Sequence, residues 1–595
     1  MKKILLVNPP DVDASLFDWP TAKRGRANNY PAYGLGVLAR HLINHGHDVR
    51  ILNLNHELLK IVALSEEEIN YDDTWKSLLA LEGYSFQPDV IGVSCLFSVT
   101  GKSLTNVCHF IKTLTDVPLC IGGVHVTHDV ETILKDTQAD YAFLNESEKA
   151  FIVFLEYLEG KVKEDQLVQI VCKDGRKFTN KAIPNEEELN VIPPFELMDV
   201  ENHSLYGTLG SWYGFRYKDT RIATALSNRG CRAHCSFCNV RSFNGVGVRQ
   251  RSIESVLDEL QLLKDRGVGH IIWLDDDLLM REERAIALFD GMVKKNLRMT
   301  WDATNGVIAA SLREEVVAAA AASGCIGLAL GIESGNAEIL RSVKKPGTPR
   351  IFRRAAEVLK KYPQINVRAL LIVGFPNETL SQVMDTIQLC EDMNLDWHNI
   401  AVLQPWKGTP IYDAMVDQGL LGEEGKLKGD SSPYQLGPYS RQRLVEQGKI
   451  QQSHYGEKKG VGNLVDWSDL SRVPERQELD DIWFYMNVRL NFERLFSENR
   501  QVKLQQQLTW LEYVATKTAP DNALILYFLA YLQWRVLGEI DPLLQAVIES
   551  RLEESTYWQE KFAIFGLNAK QVWDFDFPKT MGVKVKYKEP AWANA

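Results

Sequence analysis

The sequence has no apolar run near the roughly 20 residues needed to cross a bilayer. Its richest stretch, residues 316–332, is broken by Ser323, Gly324 and Cys325. The amino terminus is basic at Lys2 and Lys3 and then apolar, like a short leader. It stops at Asn8-Pro9-Pro10 with no small-residue cleavage site, so it reads as a buried first strand. Positive charge is not in surplus: 67 Lys and Arg against 78 Asp and Glu leave a net charge of −11. That excludes a nucleic-acid surface built on bulk basicity, though not a local pocket for one anionic ligand. Internal repeats and low-complexity segments are missing too. Cysteine is sparse and odd in number, at nine. Six of these, Cys95, Cys108, Cys120, Cys172, Cys325 and Cys390, are scattered through apolar patterns and read as small packed hydrophobes. An odd count without a secretion signal points to a reducing cytosol, where clustered cysteines mean metal or redox chemistry rather than disulfides.

What is present is ordinary globular material, 45% apolar and 24% charged. At 595 residues the chain is too long for one core and should divide into three or four domains. The pattern suggests an α/β chain with boundaries at 1–160, 161–215, 216–425 and 426–595. Residues 1–160 alternate strand and helix as in an open parallel sheet, with strands near 4–7, 49–52, 90–94, 118–121 and 141–144. Ligands bind outside the carboxyl ends of such strands. Residues 161–215 read as a connector with a small hairpin around 168–178. Residues 216–425 return to strand–helix alternation, which suits a full or partial (β/α) barrel. Beyond 426 the chain is polar and irregular over 425–455. It then becomes helical over 475–497, 504–537 and 541–562, with Trp510, Tyr513, Tyr527 and Trp534 as core.

The decisive segment follows a strand directly: Gly230-Cys231-Arg232-Ala233-His234-Cys235-Ser236-Phe237-Cys238-Asn239. Its spacing is Cys-x3-Cys-x2-Cys. Thiolates are the ligands that iron–sulfur clusters use. Three of them leave one iron of a four-iron cubane open to a substrate, whereas a structural zinc site wants four protein donors. His234 lies inside the loop, and no fourth cysteine is near. This segment resembles the cluster loop of the radical S-adenosylmethionine (SAM) superfamily. The resemblance implies a 4Fe-4S cluster on Cys231, Cys235 and Cys238, with Phe237 packed by the SAM adenine. It further implies that Glu333 and Ser334, in Gly331-Ile332-Glu333-Ser334-Gly335, contact the SAM methionine and ribose. Gly374, in Val373-Gly374-Phe375-Pro376, would lie near the adenine. Gln404-Pro405-Trp406-Lys407-Gly408-Thr409-Pro410 resembles the family's closing segment. Asp275-Asp276-Asp277 stands where relatives carry Gly-Gly-Glu. Asp276 could hold SAM, or the run could merely cap the next helix; Ser334 has a helix-capping reading as well.

An open α/β domain ahead of such a barrel resembles the cobalamin-binding radical SAM enzymes. The matching pieces are Asn8-Pro9-Pro10, Tyr33-Gly34-Leu35-Gly36-Val37-Leu38-Ala39, Ser94-Cys95-Leu96 and Gly122-Gly123-Val124-His125-Val126-Thr127, and Asn145-Glu146 lies at a further strand's carboxyl end. They imply cobalamin contacts at Asn8, Pro10, Ser94, Leu96, Gly122, Gly123, His125, Thr127 and Glu146. Gly122 and Gly123 would admit a large ligand close to the backbone. No Asp-x-His-x-x-Gly run is present, so the resemblance implies cobalamin without a protein histidine below the cobalt, His125 excepted. The implied function is a cobalamin-dependent methyltransferase acting on an unactivated carbon, or on phosphorus, of a small molecule through a 5′-deoxyadenosyl radical. An external flavodoxin- or ferredoxin-type protein would supply electrons, in the cytoplasm and under anaerobic conditions, with neither nucleic acid nor membrane involved. Two alternatives remain: a radical cyclase or rearrangement enzyme on the same scaffold, and a non-catalytic cobalamin or iron–sulfur sensor.

Overall fold

The computed structural model describes residues 1–210, 212–216, 219–422, 465–476 and 478–581. The polar stretch 425–455 lies outside the described residues. The first sheet comprises β1 (Lys3–Asn8), β2 (Asp48–Asn53), β3 (Val90–Ser94), β4 (Leu119–Gly122), β5 (Tyr141–Phe143), β6 (Ile170–Cys172) and β7 (Lys177–Phe178). Its order is β2-β1-β3-β4-β5-β6-β7. The first five strands are parallel, and β6 and β7 add antiparallel at the edge. The expected hairpin therefore extends this sheet. Side chains alternate across β1: Leu5 and Val7 join one core and Ile4 and Leu6 the other. A strand covered on both faces reads as an unbroken apolar run, as Ile4-Leu5-Leu6-Val7 does. The order reverses between β1 and β3, which opens a crevice at their carboxyl ends.

The second sheet is built from β8 (Arg221–Ala225), then, after a small two-stranded ribbon of β9 (Asn228–Arg229) and β10 (Arg249–Gln250), β11 (Val268–Trp273), β12 (Thr300–Val307), β13 (Cys325–Glu333), β14 (Asn366–Val373) and β15 (Trp397–Val402). Its order, β15-β14-β13-β12-β11-β8, is sequential and all parallel, with β8 and β15 as edges. This is a six-stranded partial barrel. Leu328, Leu330, Ile332, Val367, Ala369, Leu371 and Val373 pack into one core under the outer helices. The alternate residues of β13, Gly327, Ala329 and Gly331, face the concave side with Asn366, Arg368 and Leu370, their register partners on β14. Trp212 fills the floor: its Nε1 donates to Asn366 Oδ1 at 3.0 Å, and a Cβ at Gly327 would fall 2.4 Å from the indole.

The remaining described chain is helical, including Glu478–Asn487, Gln501–Tyr513, Ala523–Leu537, Pro542–Glu554 and Thr556–Phe565. The stretch 504–537, read as one helical pattern, is two helices separated by a wide turn at Val514–Thr518 and the Asn522 cap. Trp510 stands between edge strand β15 and the segment leading into β8. Its ring meets Trp397 at 5.7 Å and Phe215 at 6.4 Å. No helix of the described residues is long and apolar enough to cross a membrane.

Candidate functional site

The cysteine loop leaves β8 through the β9–β10 ribbon, where Arg229 and Arg249 are directly opposed. Like charges so placed repel. Glu146, from the loop after β5, resolves this. Its carboxylate accepts from Arg229 Nη1 at 2.6 Å and from Arg249 Nη1 at 3.1 Å, and also from Arg249 Nη2. Glu148 accepts a second bond from Arg229 at 2.7 Å. Both carboxylates are buried. Asn145, at φ +58°, donates to the carbonyls of Ser242 and Phe243 at 3.1 and 2.9 Å, just past the cysteines. Lys407 pairs with Asp129 at 2.7 Å. Through these contacts the carboxyl end of the first sheet is fastened to the cysteine loop and to the barrel's closing segment.

The three cysteines are half-buried, whereas the other six are buried. Ser236 N donates to Val343 O, and Ile411 N to Ser236 O, both at 2.9 Å, which tethers the loop to two later barrel segments. Phe237 lies 5.9 Å from Phe375. Burial pushes the Cys231 thiol up to about 11 and Cys235 up to about 12, and Lys345 pulls Cys235 part of the way back. Among the described residues no three His, Cys, Asp or Glu side chains gather around a single point that could hold one ion. A cubane, by contrast, spreads its thiolates over three separate irons. Lys345 Nζ sits 2.8 Å from Glu333 Oε1, in space that a Cβ on Gly331 would invade at 2.6 Å. Glu333 ends β13 at φ +65°, a conformation costing a non-glycine residue about 1–3 kcal/mol and typical of functional sites.

The three aspartates separate by environment. Asp275 accepts from the Ser227 amide at 2.9 Å and from its hydroxyl. Asp277 pairs with Arg232 Nε at 2.9 Å. Among the described residues Asp276 has only the Asn244 amide, at 3.3 Å, as a side-chain partner, and burial, reinforced by Asp275, raises it to about 7. The run does not cap the next helix, Glu282–Lys294, whose cap position is Arg281. Ser334 is fully buried, and its hydroxyl accepts from Asn336 N at 3.1 Å. The capping side chain of Ala337–Ser342 is Asn336 itself. Gly374, at φ +85°, donates its amide to Glu378 at 2.7 Å.

At the end of β4, Gly123 has φ +114°, and a Cβ there would meet Cys95 O at 2.3 Å, so only glycine fits. Thr127 Oγ1 donates to Gly123 O and accepts from Asn145 N, both at 2.9 Å, so its hydroxyl serves the loop itself. Asn8 Nδ2 donates to Asn53 Oδ1 at 3.1 Å. Leu96 and Phe97 are 52% and 63% exposed at the mouth of β3. His125 lies against Gly101, and burial lowers its pKa.

Residues 226–390 match the model of the radical SAM superfamily, and residues 24–155 match that of the B12 binding domain. The chain thus carries a B12-binding segment followed by a radical SAM segment. It is 26% identical to an uncharacterized methyltransferase of Pyrococcus horikoshii over 426 residues, 70% of this chain and 84% of that one. It is 25% identical to the cytidylyl-2-hydroxyethylphosphonate methyltransferase of Streptomyces wedmorensis over 469 residues, 72% and 84% of the two chains. The fold is shared with the cobalamin-dependent SAM radical enzyme OxsB at a TM-score of 0.55 and 16% identity, over 95% of this chain and 81% of that one.

The residues present fit the cofactors of a cobalamin-binding radical SAM protein. Three half-buried thiols near the half-buried Lys345 suit an anionic cluster. The glycine-only approach at Gly123, with exposed Leu96 and Phe97 beside it, suits a broad apolar ligand. Lys345 and the Arg229–Arg249 ribbon are not singled out by the sequence. Their roles arise from tertiary pairing, and a lysine following a helix carries no motif of its own.

Proposed function

We propose that this protein is a cobalamin-dependent radical SAM methyltransferase acting on an unactivated carbon, or phosphorus, of a small molecule. The observation that carries this reading is the facing of the two sheets. The carboxyl end of the first is locked onto the cysteine loop of the second by Glu146, Asn145 and Asp129. In a methyl transfer, the cluster supplies the electron that splits SAM and cobalamin supplies the methyl group.

This chain's residues would bind and orient. Cys231, Cys235 and Cys238 hold the cluster. Phe237 and Gly374 border the adenine of SAM, and Glu333 and Asp276 take its polar end, with Lys345 holding Glu333 until the SAM amino group arrives. Ser334 acts from behind through Asn336. Asn8, Pro10, Ser94, Leu96, Gly122, Gly123, His125 and Thr127 border the cobalamin face, and Glu146 fixes that face to the barrel. We assign residues 1–160 to cobalamin, 161–215 to a connector, 216–425 to the radical chemistry and 426–595 to the substrate cover. A flavodoxin- or ferredoxin-type protein of the cytoplasm would supply electrons, and no nucleic acid takes part.

The test is anoxic reconstitution, reduction and addition of SAM carrying a deuterated methyl group. Formation of 5′-deoxyadenosine together with label in a small-molecule product supports the reading. 5′-Deoxyadenosine with an unlabelled product would replace methyl transfer by another radical outcome. Neither product would leave a sensor.

A further inference from the structure

A cavity of about 410 Å³ runs along the concave side of β14 and β15. Its lining includes Glu333 at the upper end, Leu370, Ile372, Trp397 and Asn399, with Trp483 from the covering helix. Directly below Leu370, on the same face of β14 and next to the lining rather than in it, is Arg368, the register partner of Trp397. Its guanidinium is 1% exposed and lies between two indoles, 4.5 Å from the Trp212 ring and 4.1 Å from Trp510. Nε donates to Asn366 Oδ1 at 3.1 Å. Among the described residues, Nη2 has no acceptor, and neither has the buried Nε1 of Trp510 beside it. Among the described residues no carboxylate forms an ion pair with this cation, and Asp302 and Asp396 favour its charge only from a distance. Asp302 is taken by His270 at 2.9 Å and Thr304 at 2.6 Å, and Asp396 by Lys503 at 2.7 Å.

A buried cation without a counterion costs several kcal/mol. Two indoles lie against this guanidinium, and its Nη2 keeps in-plane N–H groups of the kind that grip an oxyanion. We propose that Arg368 is the anion receptor of the substrate cavity, and that the substrate of the reaction proposed above carries a carboxylate or phosphate group. The register places Leu371 level with Glu333. Arg368 is three residues earlier, about 10 Å down the strand. The anionic group therefore lies roughly 10 Å from the SAM end, and the substrate is a small molecule with that reach.

The inference rests on the proposed function only for the idea that the cavity takes a substrate, and its test needs neither SAM nor turnover. Anoxically purified full-length protein is melted in chloride, acetate and phosphate at equal ionic strength. The expected result is a saturable rise of a few degrees with acetate or with phosphate. It is lost in Arg368→Met and kept in part in Arg368→Lys. A rise with acetate alone marks a carboxylate receptor, and one with phosphate alone a phosphate receptor. Phosphate also stabilises proteins generally, and Arg368→Met reports that background. In chloride, Arg368→Met melts no lower than wild type, because an unpaired charge has been replaced by an apolar chain. The proposal is overturned by no rise in wild type, by an equal rise in Arg368→Met, or by a large loss of stability in that variant in chloride. Failure of the methyltransferase reading has a separate sign, the lack of 5′-deoxyadenosine from wild type.

Discussion

Replacing Glu146 by alanine should loosen the cysteine loop without touching a cysteine. In the folded protein its carboxylate lies between Arg229 and Arg249, which face each other across the β9–β10 ribbon. Directly opposed residues hold their Cβ atoms about 5 Å apart. Two positive charges at that spacing repel by about 3 kcal/mol at an effective dielectric of 20. Stranding one partner of a buried pair costs about 3–5 kcal/mol, which agrees. Glu148 still holds Arg229, so the lower figure applies and Arg249 is the charge left unpaired. About 3 kcal/mol raises the local opening equilibrium roughly 150-fold. Hydrogen exchange over residues 228–250 reads this directly, and the rate at which a chelator strips iron reads its consequence. Glu146→Gln, which accepts hydrogen bonds but carries no charge, should fall between. If Glu146→Ala exchanged within about threefold of wild type, the clamp would not be what holds the ribbon.

Gly123→Ala forces a side chain into left-handed backbone against the Cys95 carbonyl. Loss of cobalamin binding, read by visible absorbance, should accompany a lower melting temperature of the first domain; wild-type behaviour on both counts would refute the close approach. Glu378 is buried and raised to about 7 from 4.5, its carboxylate accepting from Gly374 and Phe375 amides. A raised carboxyl favours the folded state below about pH 4.5, and that contribution is lost as pH rises through 7. The loss from pH 5 to pH 8 is about 2.5 kcal/mol. Glu378→Gln should lack it, and urea unfolding of both proteins at the two pH values checks the difference; parallel pH profiles would contradict the assignment. Lys345→Met removes the cation beside Glu333 and Cys235. The midpoint potential of the reconstituted cluster should fall in a redox titration followed by electron paramagnetic resonance, and an unchanged potential would place Lys345 outside the cluster's field.

The central strands, such as Ile4-Leu5-Leu6-Val7, are legible in sequence because they are buried on two faces and so write an apolar run. The cysteine triplet is legible because its chemistry and spacing are local. The helix Tyr71–Phe86 escapes notice because its buried residues, Tyr71, Trp75, Leu79 and Phe86, form a narrow stripe within polar sequence. Glu146 reads as a ligand contact because it follows a strand end, where ligands bind. Its arginine partners lie 83 and 103 residues away and meet it only through docking of the two sheets. Ser334 sits in a family motif, yet its hydroxyl turns inward to a neighbouring amide, a choice of rotamer that no one-dimensional pattern records. Arg368 looks in sequence like a misplaced charge in an apolar strand, and only the two indoles around it give that charge a setting.

Trp510 gives the barrel an unusual birth order. The last barrel strand ends at Val402, but the indole that packs between it and the segment leading into β8 is encoded roughly a hundred residues later. At ordinary ribosomal speed that interval is on the order of 5–20 s. For that time the emerging chain carries the cysteine loop and all six barrel strands without the indole that later packs against β15.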